Sequence, residues 1–261
     1  MRLVGLLFLS IGLCGCAGAN SLLRIAADGS DKLEVAWVRF SPPPGRPPVT
    51  LVATAHVAEP AFFAAVQNRL DRSSVVLMEG IRPEPYADEG DGRDEGIASP
   101  LRDVAAQLRL VHQVEALQFR SSWIPADITQ SELRRMLAAE PAAPGDGPSF
   151  EEFRRDVSFV LFQYAREHPE LGSETVEDRV RAGSARKLYA DLIVEWAADP
   201  PPQPVLIDAR NRLALEALDR RGPESEVVLC WGYAHGPDFI DRLAEQGYEV
   251  AEWTWHTVFS W

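Results

Sequence analysis

Two kinds of hydrophobic pattern in the first part of the chain predict strands of different burial. Residues 32–40, KLEVAWVRF, alternate apolar and polar side chains, which is typical of a strand with one face in the core. Residues 49–56, VTLVATAH, are almost continuously apolar, as expected for a strand buried on both faces. The proline-rich stretch SPPPGRPPV lies between them and predicts a short turn, because proline cannot donate a backbone hydrogen bond.

A strand–helix–strand unit follows. Pro60 fits the first turn of a helix. Apolar residues then recur at helical spacing, at Phe62, Phe63, Val66 and Leu70. Residues 73–80, SSVVLMEG, predict another buried strand that ends in Glu79. A connection of this length favours parallel strands, whose carboxyl ends share one edge of the sheet. His56 and Glu79 are therefore expected at the same edge, one or two strands apart.

The middle of the chain, from Leu101 to about Pro200, has mostly helical spacing and predicts a helical insert. Two helix starts have capping-box spacing, Thr129 with Glu132 and Ser149 with Glu152. A lid over the strand ends is one role that we expect for such an insert.

Strand–helix–strand spacing resumes after the insert. VLIDARNRLALEAL places polar residues just before an apolar helical stripe, and SEVVLCWGYAH is a further apolar strand that ends in His235. A helix, a short last strand and an aromatic tail with edge-strand character complete the chain. The pattern predicts an α/β fold: a mixed, mainly parallel sheet with flanking helices, in one domain over residues 32–261.

Composition narrows the class of function. The chain has 261 residues, 46% of them apolar, and a net charge of −13. This length and apolar fraction suit one large globular domain. Nucleic-acid binding needs clusters of Lys and Arg that displace counterions, so the acidic balance argues against a nucleic-acid partner.

The N-terminus predicts export. A positive start is followed by an apolar run, residues 3–13, that is shorter than the roughly 20 residues needed to span a bilayer. It suits the core of a signal peptide. The sequence Leu-Cys-Gly-Cys that follows resembles a bacterial lipoprotein cleavage site. The resemblance implies a signal peptide over residues 1–15, lipid on Cys16 and a tether over residues 16–31. An ordinary signal peptide is the alternative.

This anchor has consequences for location and for the cysteines. Because Ala17 is not Asp, the resemblance to lipoproteins favours anchoring to the outer membrane, with the membrane as a partner. The periplasmic side is expected, and exposure at the cell surface is the alternative. Cys14 would leave with the signal and Cys16 would carry lipid, so only Cys230 remains and no intrachain disulfide is possible in the mature chain. Cys230 is expected to pack as a small buried apolar residue.

Three side chains at strand ends are the best candidates for chemistry. His56 and His235 each end an apolar strand, and Glu79 ends a third. Ligands of open parallel sheets bind outside the carboxyl ends of the strands. Two imidazoles and a carboxylate suit a divalent metal ion with an open position for water, whose pKa the ion lowers. The alternative is that each histidine is a structural residue satisfied by backbone groups.

Four segments carry a resemblance to a known family. LVATAHV, VVLMEG, LIDARNRLALEAL and VVLCWGYAHGPDFIDRLAEQGYEV resemble, in order and spacing, the TraB/GumN/TIKI superfamily, with its erythromycin-esterase-like and haem-binding ChaN-like relatives. The resemblance covers about residues 40–85 and 203–250. It departs from the family pattern at Ala53, where Gly is expected, and at Ala209, where Glu is expected with Asp208 one place earlier.

The resemblance implies a metal-dependent, peptidase-like hydrolase. His56 and His235 would bind a divalent metal ion of unknown identity, and Glu79 would be a third ligand or the general base. Arg210 would hold a substrate carboxylate or a developing oxyanion. The alternative for Arg210 is an ion pair with Glu79 that stabilises the sheet edge.

Other polar residues near these motifs have open roles. Asp208, Asn211 and Tyr233 are possible pocket residues, although Tyr233 fits the core equally well. Asp127 is expected either to face the pocket or to begin a helix. His112 and His168 lie on helical stretches and are expected to be solvated or structural. His256 lies in the aromatic tail, which is expected to pack as an edge strand rather than bind a ligand.

Two further functional hypotheses stay open at this point. The ChaN-like relatives suggest a lipoprotein that binds haem, iron or another ligand without catalysis. A scaffold with a decayed site is the third hypothesis. The substrate, a peptide or another small molecule, is not specified by the sequence.

Overall fold

The structure is a computed structural model that describes residues 21–80, 95–139, 176–198 and 204–261. The signal sequence, Cys16, the second predicted capping box and His168 lie outside these residues. Within the described segments, no helix is long and apolar enough to cross a membrane.

The described chain forms nine strands and seven α-helices. The strands are β1 (Leu23–Ile25), β2 (Lys32–Ser41), β3 (Val49–Thr54), β4 (Val57–Ala58), β5 (Val75–Met78), β6 (Val111–His112), β7 (Ile124–Pro125), β8 (Val227–Gly232) and β9 (Glu249–Ser260). The helices are α1 (Pro60–Asp71), α2 (Glu95–Gln107), α3 (Gln113–Ala116), α4 (Gln130–Ala139), α5 (Val176–Ala198), α6 (Arg210–Asp219) and α7 (Gly236–Glu245).

The main sheet is mixed, as predicted. Its parallel part has the order β3, β8, β5, β7, and β2 pairs antiparallel with β3. The long strand β9 and the short strand β1 both pair antiparallel with β2. Strand β8 therefore lies between β3 and β5, so the ends of β3 and β5 are two strands apart at the same edge.

The core is built on the central parallel strands. Every residue of β3 and β8 is buried, as the continuous apolar runs predicted. Helix α1 begins with Pro60 and buries the four apolar residues predicted from its spacing. Cys230 in β8 is buried in this core, and burial, followed by the nearby charge of Glu79, raises the pKa of its thiol.

The middle block contains more than helices. Strand β7 extends the main sheet beside β5, and β6 pairs with β4 in a separate two-stranded sheet. Both strands have only two residues, which is too short to give a period in the sequence. The predicted capping box at the start of α4 is confirmed, because Thr129 N donates to Glu132 Oε2 at 2.7 Å and Glu132 N donates to Thr129 Oγ1 at 3.2 Å.

Two segments in the second half differ from the simple strand–helix–strand pattern. Pro204–Ala209 is a π-helical turn that runs directly into α6 rather than a strand. The last strand is long, because β9 includes the aromatic tail over twelve residues. The predicted edge-strand character of that tail is confirmed by its pairing with β2.

Candidate functional site

The candidate site lies beyond the carboxyl ends of β3, β8 and β5. Glu79 directly follows β5, and its backbone N donates to Cys230 O at 2.9 Å, which ties it to β8. His56 follows β3 after one residue. His235 ends the short 3-10 turn that follows β8. The parallel pairing of the strands therefore brings three distant parts of the chain to one edge, as the sequence predicted.

The three side chains gather around one glycine. Gly232 N donates to Glu79 Oε2 at 2.6 Å. A Cβ atom added to Gly232 would lie 3.3 Å from Glu79 Oε2, 3.9 Å from His235 Cδ2 and 3.9 Å from His56 Nε2. The predicted convergence of the two imidazoles and the carboxylate is thus present, and it depends on the missing side chain at position 232.

Glu79 is a largely buried carboxylate between Arg210 and His235. Its Oε1 accepts a hydrogen bond from Arg210 Nη2 at 2.8 Å and lies 3.3 Å from His235 Nε2. Burial alone would raise the pKa of Glu79, but the neighbouring His235 and Arg210 side chains outweigh it and hold that pKa well below its ordinary value. Glu79 is therefore ionised at neutral pH.

Arg210 is paired rather than exposed to a substrate. Its Nε donates to Asp127 Oδ1 at 2.9 Å, and its Nη2 donates both to Asp127 Oδ2 at 2.7 Å and to Glu79 Oε1. Burial would lower the pKa of this guanidinium, but the two carboxylates raise it. The ion pair with Glu79, the alternative predicted for Arg210, is present. Asp127 occupies the Nε–Nη2 edge, so Arg210 does not bind a substrate carboxylate through that edge, and its role at a developing oxyanion stays a prediction.

His235 is oriented from behind by Asn211. The Asn211 Nδ2 donates to His235 O at 3.0 Å and to Asp238 Oδ2 at 2.8 Å, so its Oδ1 is left as an acceptor. The His235 Nδ1, 2.5 Å from this Oδ1, must then be the donor. Its Nε2 consequently faces Glu79, and Trp231 packs edge-on against the ring at 4.9 Å.

His56 is the exposed member of the three. Its backbone O accepts from Gln113 N at 2.8 Å, so the small β4–β6 sheet holds this turn in place. The side chain reaches solvent, yet the protein atoms around the ring lower its pKa. The carboxylate of Glu79 opposes this shift, and the cation of Arg210 adds to it. His56 is therefore a neutral imidazole at neutral pH, with Nε2 available for a ligand.

Asp127 is a part of the site for which the sequence left two roles open. It is 2% exposed and lies just after β7, where its carboxylate meets Arg210. Its one sequence signal was the polar PADIT segment, which a helix entry explains equally well. The structure favours the pocket role, because β7 brings this carboxylate to the same sheet edge as Glu79.

Several other predicted residues lie away from the centre. Tyr233 packs against the core and lines a small cavity with Leu22 and Trp196. Asp208 is exposed, and the structure shows no contact between it and the three central side chains. Asn211 is in the layer behind His235, as described above.

The histidines expected to be structural need one correction. His112 lies in strand β6 and not on a helical stretch, because β4 recruits it as a strand partner. It is buried, and its Nδ1 has no hydrogen-bond partner among the described residues. Burial lowers its pKa to about 4. His256 stacks on Trp37 at 3.7 Å in the sheet, which agrees with a structural role.

The donor set fits a divalent metal ion in its chemistry and partly in its geometry. Two ligands that each lie about 2.0–2.1 Å from one tetrahedral zinc ion are about 3.3 Å apart. His235 Nε2 and Glu79 Oε1 have this separation, at 3.3 Å. The full set is not assembled, since no group of three or more His, Cys, Asp or Glu side chains in the described segments has the arrangement of a metal site.

Comparison with known proteins leaves the family open. No protein-family model, curated protein or solved structure matches this chain. The resemblance to the TraB/GumN/TIKI superfamily therefore stays a prediction that rests on the strand-end motifs. The geometry of the site bears on metal binding, and the resemblance alone implies a peptidase-like activity.

Proposed function

We propose that this protein is a metal-dependent hydrolase with a peptidase-like activity at the His56, Glu79 and His235 site. The observation that carries the proposal is the meeting of two imidazoles and one ionised carboxylate around Gly232, at the carboxyl ends of parallel strands. Neutral imidazoles and a carboxylate are the ligands of hydrolytic zinc sites with an open position. A bound metal ion would supply an activated water and polarise the carbonyl of the substrate.

The protein groups have distinct tasks in this proposal. His235 presents Nε2 because Asn211 occupies Nδ1, an arrangement typical of metal-binding histidines. His56 is the ligand at the rim and has to approach the other two. Glu79 suits a ligand better than a general base, since a base works best with a pKa near the working pH and that of Glu79 is held far lower. Arg210 keeps Glu79 ionised.

The haem-binding hypothesis is favoured less by this geometry. An axial histidine must present a ring nitrogen to iron at the centre of a wide porphyrin. His235 Nε2 instead has Glu79 Oε1 at 3.3 Å and Arg210 Nη1 at 3.4 Å. A small cation fits this crowded position better than a porphyrin does.

The test combines metal content with hydrolysis. The domain from Ser21 onward is loaded with Zn²⁺ or Mn²⁺, dialysed and measured by elemental analysis, alone and with His56→Ala or His235→Ala. We expect close to one equivalent of metal in the wild type and a loss of most of it in both variants. A quenched-fluorescence peptide library, with and without a chelator, then measures hydrolysis.

A matched variant controls for the loss of a histidine. His256→Ala removes an imidazole that stacks on Trp37 away from the site, so its metal content is expected to equal that of the wild type. Equal metal content in wild type, His56→Ala and His235→Ala would refute the ligand assignment. Metal-independent cleavage would refute the role of the metal but not that of the site. A Soret band on haem titration, with no cleavage, would favour the binding hypothesis.

The membrane anchor belongs to the same proposal. Lipid on Cys16 would hold the domain at the outer membrane through the residues that precede Ser21. The predicted tether of residues 16–31 is too long, because Leu23–Ile25 form β1 and pair with β2. Support comes from the N-terminal sequence alone. The full chain, expressed in a Gram-negative host with labelled palmitate, is expected to carry label, and Cys16→Ser is expected to carry none. Label in the variant would place the lipid elsewhere.

A further inference from the structure

A second buried carboxylate stands behind the proposed ligands. Asp127 accepts hydrogen bonds from two backbone groups, Ile128 N at 2.8 Å and Gly80 N at 2.9 Å. It also accepts two from the guanidinium of Arg210, at 2.9 and 2.7 Å. Both carboxylate oxygens thus have one backbone donor and one Arg210 donor. This number of partners fixes the position of the carboxylate.

Asp127 is linked to Glu79 by two routes. Gly80, whose N–H donates to Asp127, is the residue directly after Glu79, so this bond restrains the backbone that carries the proposed ligand. The Nη2 group of Arg210 donates to Asp127 and to Glu79 at once. A substitution at Asp127 is therefore expected to shift Glu79 in two ways, through the backbone at Gly80 and through the guanidinium of Arg210.

The shape of the guanidinium decides what Arg210 can do. Its donors are fixed in one plane, and a carboxylate that takes the Nε–Nη2 edge sets the orientation of the whole group. With this edge on Asp127, Arg210 offers Glu79 one donor, at 2.8 Å, and not a two-bond grip. Without Asp127, the same edge would be free to form a two-bond pair with Glu79 and to compete with a cation for its oxygens.

The charges of these side chains also favour the binding of a cation. Glu79 and Asp127 together carry two negative charges, while Arg210 carries one positive charge. Among these three side chains one negative charge is in excess, which attracts a cation strongly where water is scarce. Neutralising Asp127 would leave the charge of Arg210 to cancel that of Glu79.

We propose that Asp127 is a positioning residue, which holds Arg210 edge-on so that Glu79 stays available to a divalent cation. This inference rests on the proposed function. It also bears on the substrate class: because Asp127 occupies the Nε–Nη2 edge of Arg210, Arg210 does not bind a terminal carboxylate of the substrate through that edge, which favours an internal amide or an ester as the scissile bond.

The experiment uses Zn²⁺ as the probe and Asp127→Asn as the change. Calorimetric titration of the apo domain is expected to show Zn²⁺ binding that is at least tenfold weaker in this variant. A crystal structure of the variant is expected to show Arg210 turned onto both oxygens of Glu79. Glu226→Gln is the matched control: it breaks the ion pair with Arg69 at 2.6 Å, just before β8 at the opposite edge of the sheet, and should leave Zn²⁺ affinity unchanged.

A conservative variant separates position from charge. Asp127→Glu keeps the charge but moves the carboxylate by one methylene, so the proposal predicts weaker Zn²⁺ binding here as well. Wild-type affinity in both Asp127 variants would overturn it. If Asp127→Asn does not fold, Asp127→Glu alone decides: Zn²⁺ binding at least tenfold weaker than in the wild type, with Arg210 displaced in its crystal structure, supports the proposal, and wild-type affinity overturns it.

Failure of the proposed function would give a different result. A wild-type domain that binds no Zn²⁺ would remove the metal site. The crystal structure of Asp127→Asn would then test the positioning role of Asp127 separately from metal binding. A guanidinium of Arg210 that has turned onto Glu79 supports this role, and one that has not moved overturns it.

Discussion

Replacement of Gly232 by Ala tests whether the site depends on the space at this residue. The backbone of Gly232 has φ −56° and ψ 142°, which any L-residue adopts, so the substitution causes no backbone strain. The only new element is a methyl group. That group would lie 3.3 Å from Glu79 Oε2, closer than nine in ten real Cβ contacts, and the carboxylate would have to shift by a few tenths of an ångström.

Two opposing effects set the change in the free energy of unfolding. Overpacking of a filled position costs about 1–3 kcal/mol. The loss of glycine flexibility in the unfolded chain returns about 0.4–1 kcal/mol. We therefore expect Gly232→Ala to lower the free energy of unfolding by about 1–2 kcal/mol. The hydrogen bond from Gly232 N to Glu79 Oε2 at 2.6 Å must lengthen as well, so Zn²⁺ affinity should fall with stability.

Urea unfolding and Zn²⁺ titration measure the two effects, with Gly183→Ala as the control. A Cβ at Gly183 would meet Trp261 at 3.5 Å, an ordinary contact, and Gly183 lies inside α5. This control should gain about 0.5–1 kcal/mol, because alanine is the better helix former. If Gly232→Ala gained stability like Gly183→Ala and bound Zn²⁺ as the wild type does, the crowded geometry described for this site would be wrong.

Three further changes have expected outcomes. Arg210→Met leaves the carboxylates of Glu79 and Asp127 without their shared cation, and should cost about 3–5 kcal/mol in urea unfolding; a cost below 1 kcal/mol would contradict the buried ion pairs. Since the pKa of Glu79 is lowered in the folded state, its contribution to stability is present above its ordinary value of 4.5 and is lost as the pH falls through the lower folded pKa. The stability of Glu79→Gln should therefore depend less on pH below about 4.5, and parallel pH profiles would refute the shift. Thr129→Ala removes the capping bond of α4 and should cost about 1 kcal/mol, whereas an unchanged urea midpoint would argue against that cap.

The sequence predicted the parallel strands because burial on both faces leaves a continuous apolar run. The segments around β3 and β8 have such runs, and their histidines follow within three residues. Parallel pairing then implies a shared edge. The positions of His56, Glu79 and His235 could be predicted for this reason, without knowledge of the strand order.

The other contacts of the site could not be predicted, because the segments that make them show no periodic hydrophobic pattern in the sequence. Strand β7 has two residues, so nothing local indicates that Asp127 reaches the edge beside Glu79. The two roles of Arg210 differ only in whether a second carboxylate occupies its Nε–Nη2 edge. Similarly, the π-helical turn Pro204–Ala209 has the apolar character of a strand, but it continues into α6.

X-ray anomalous scattering at the zinc absorption edge, from crystals of the wild-type domain soaked in Zn²⁺, would locate a bound ion. We expect one strong peak beside Gly232, within bonding distance of His235 Nε2, a Glu79 oxygen and a repositioned His56 Nε2. No peak at this edge of the sheet, or a peak that contacts none of the three side chains, would contradict this expectation.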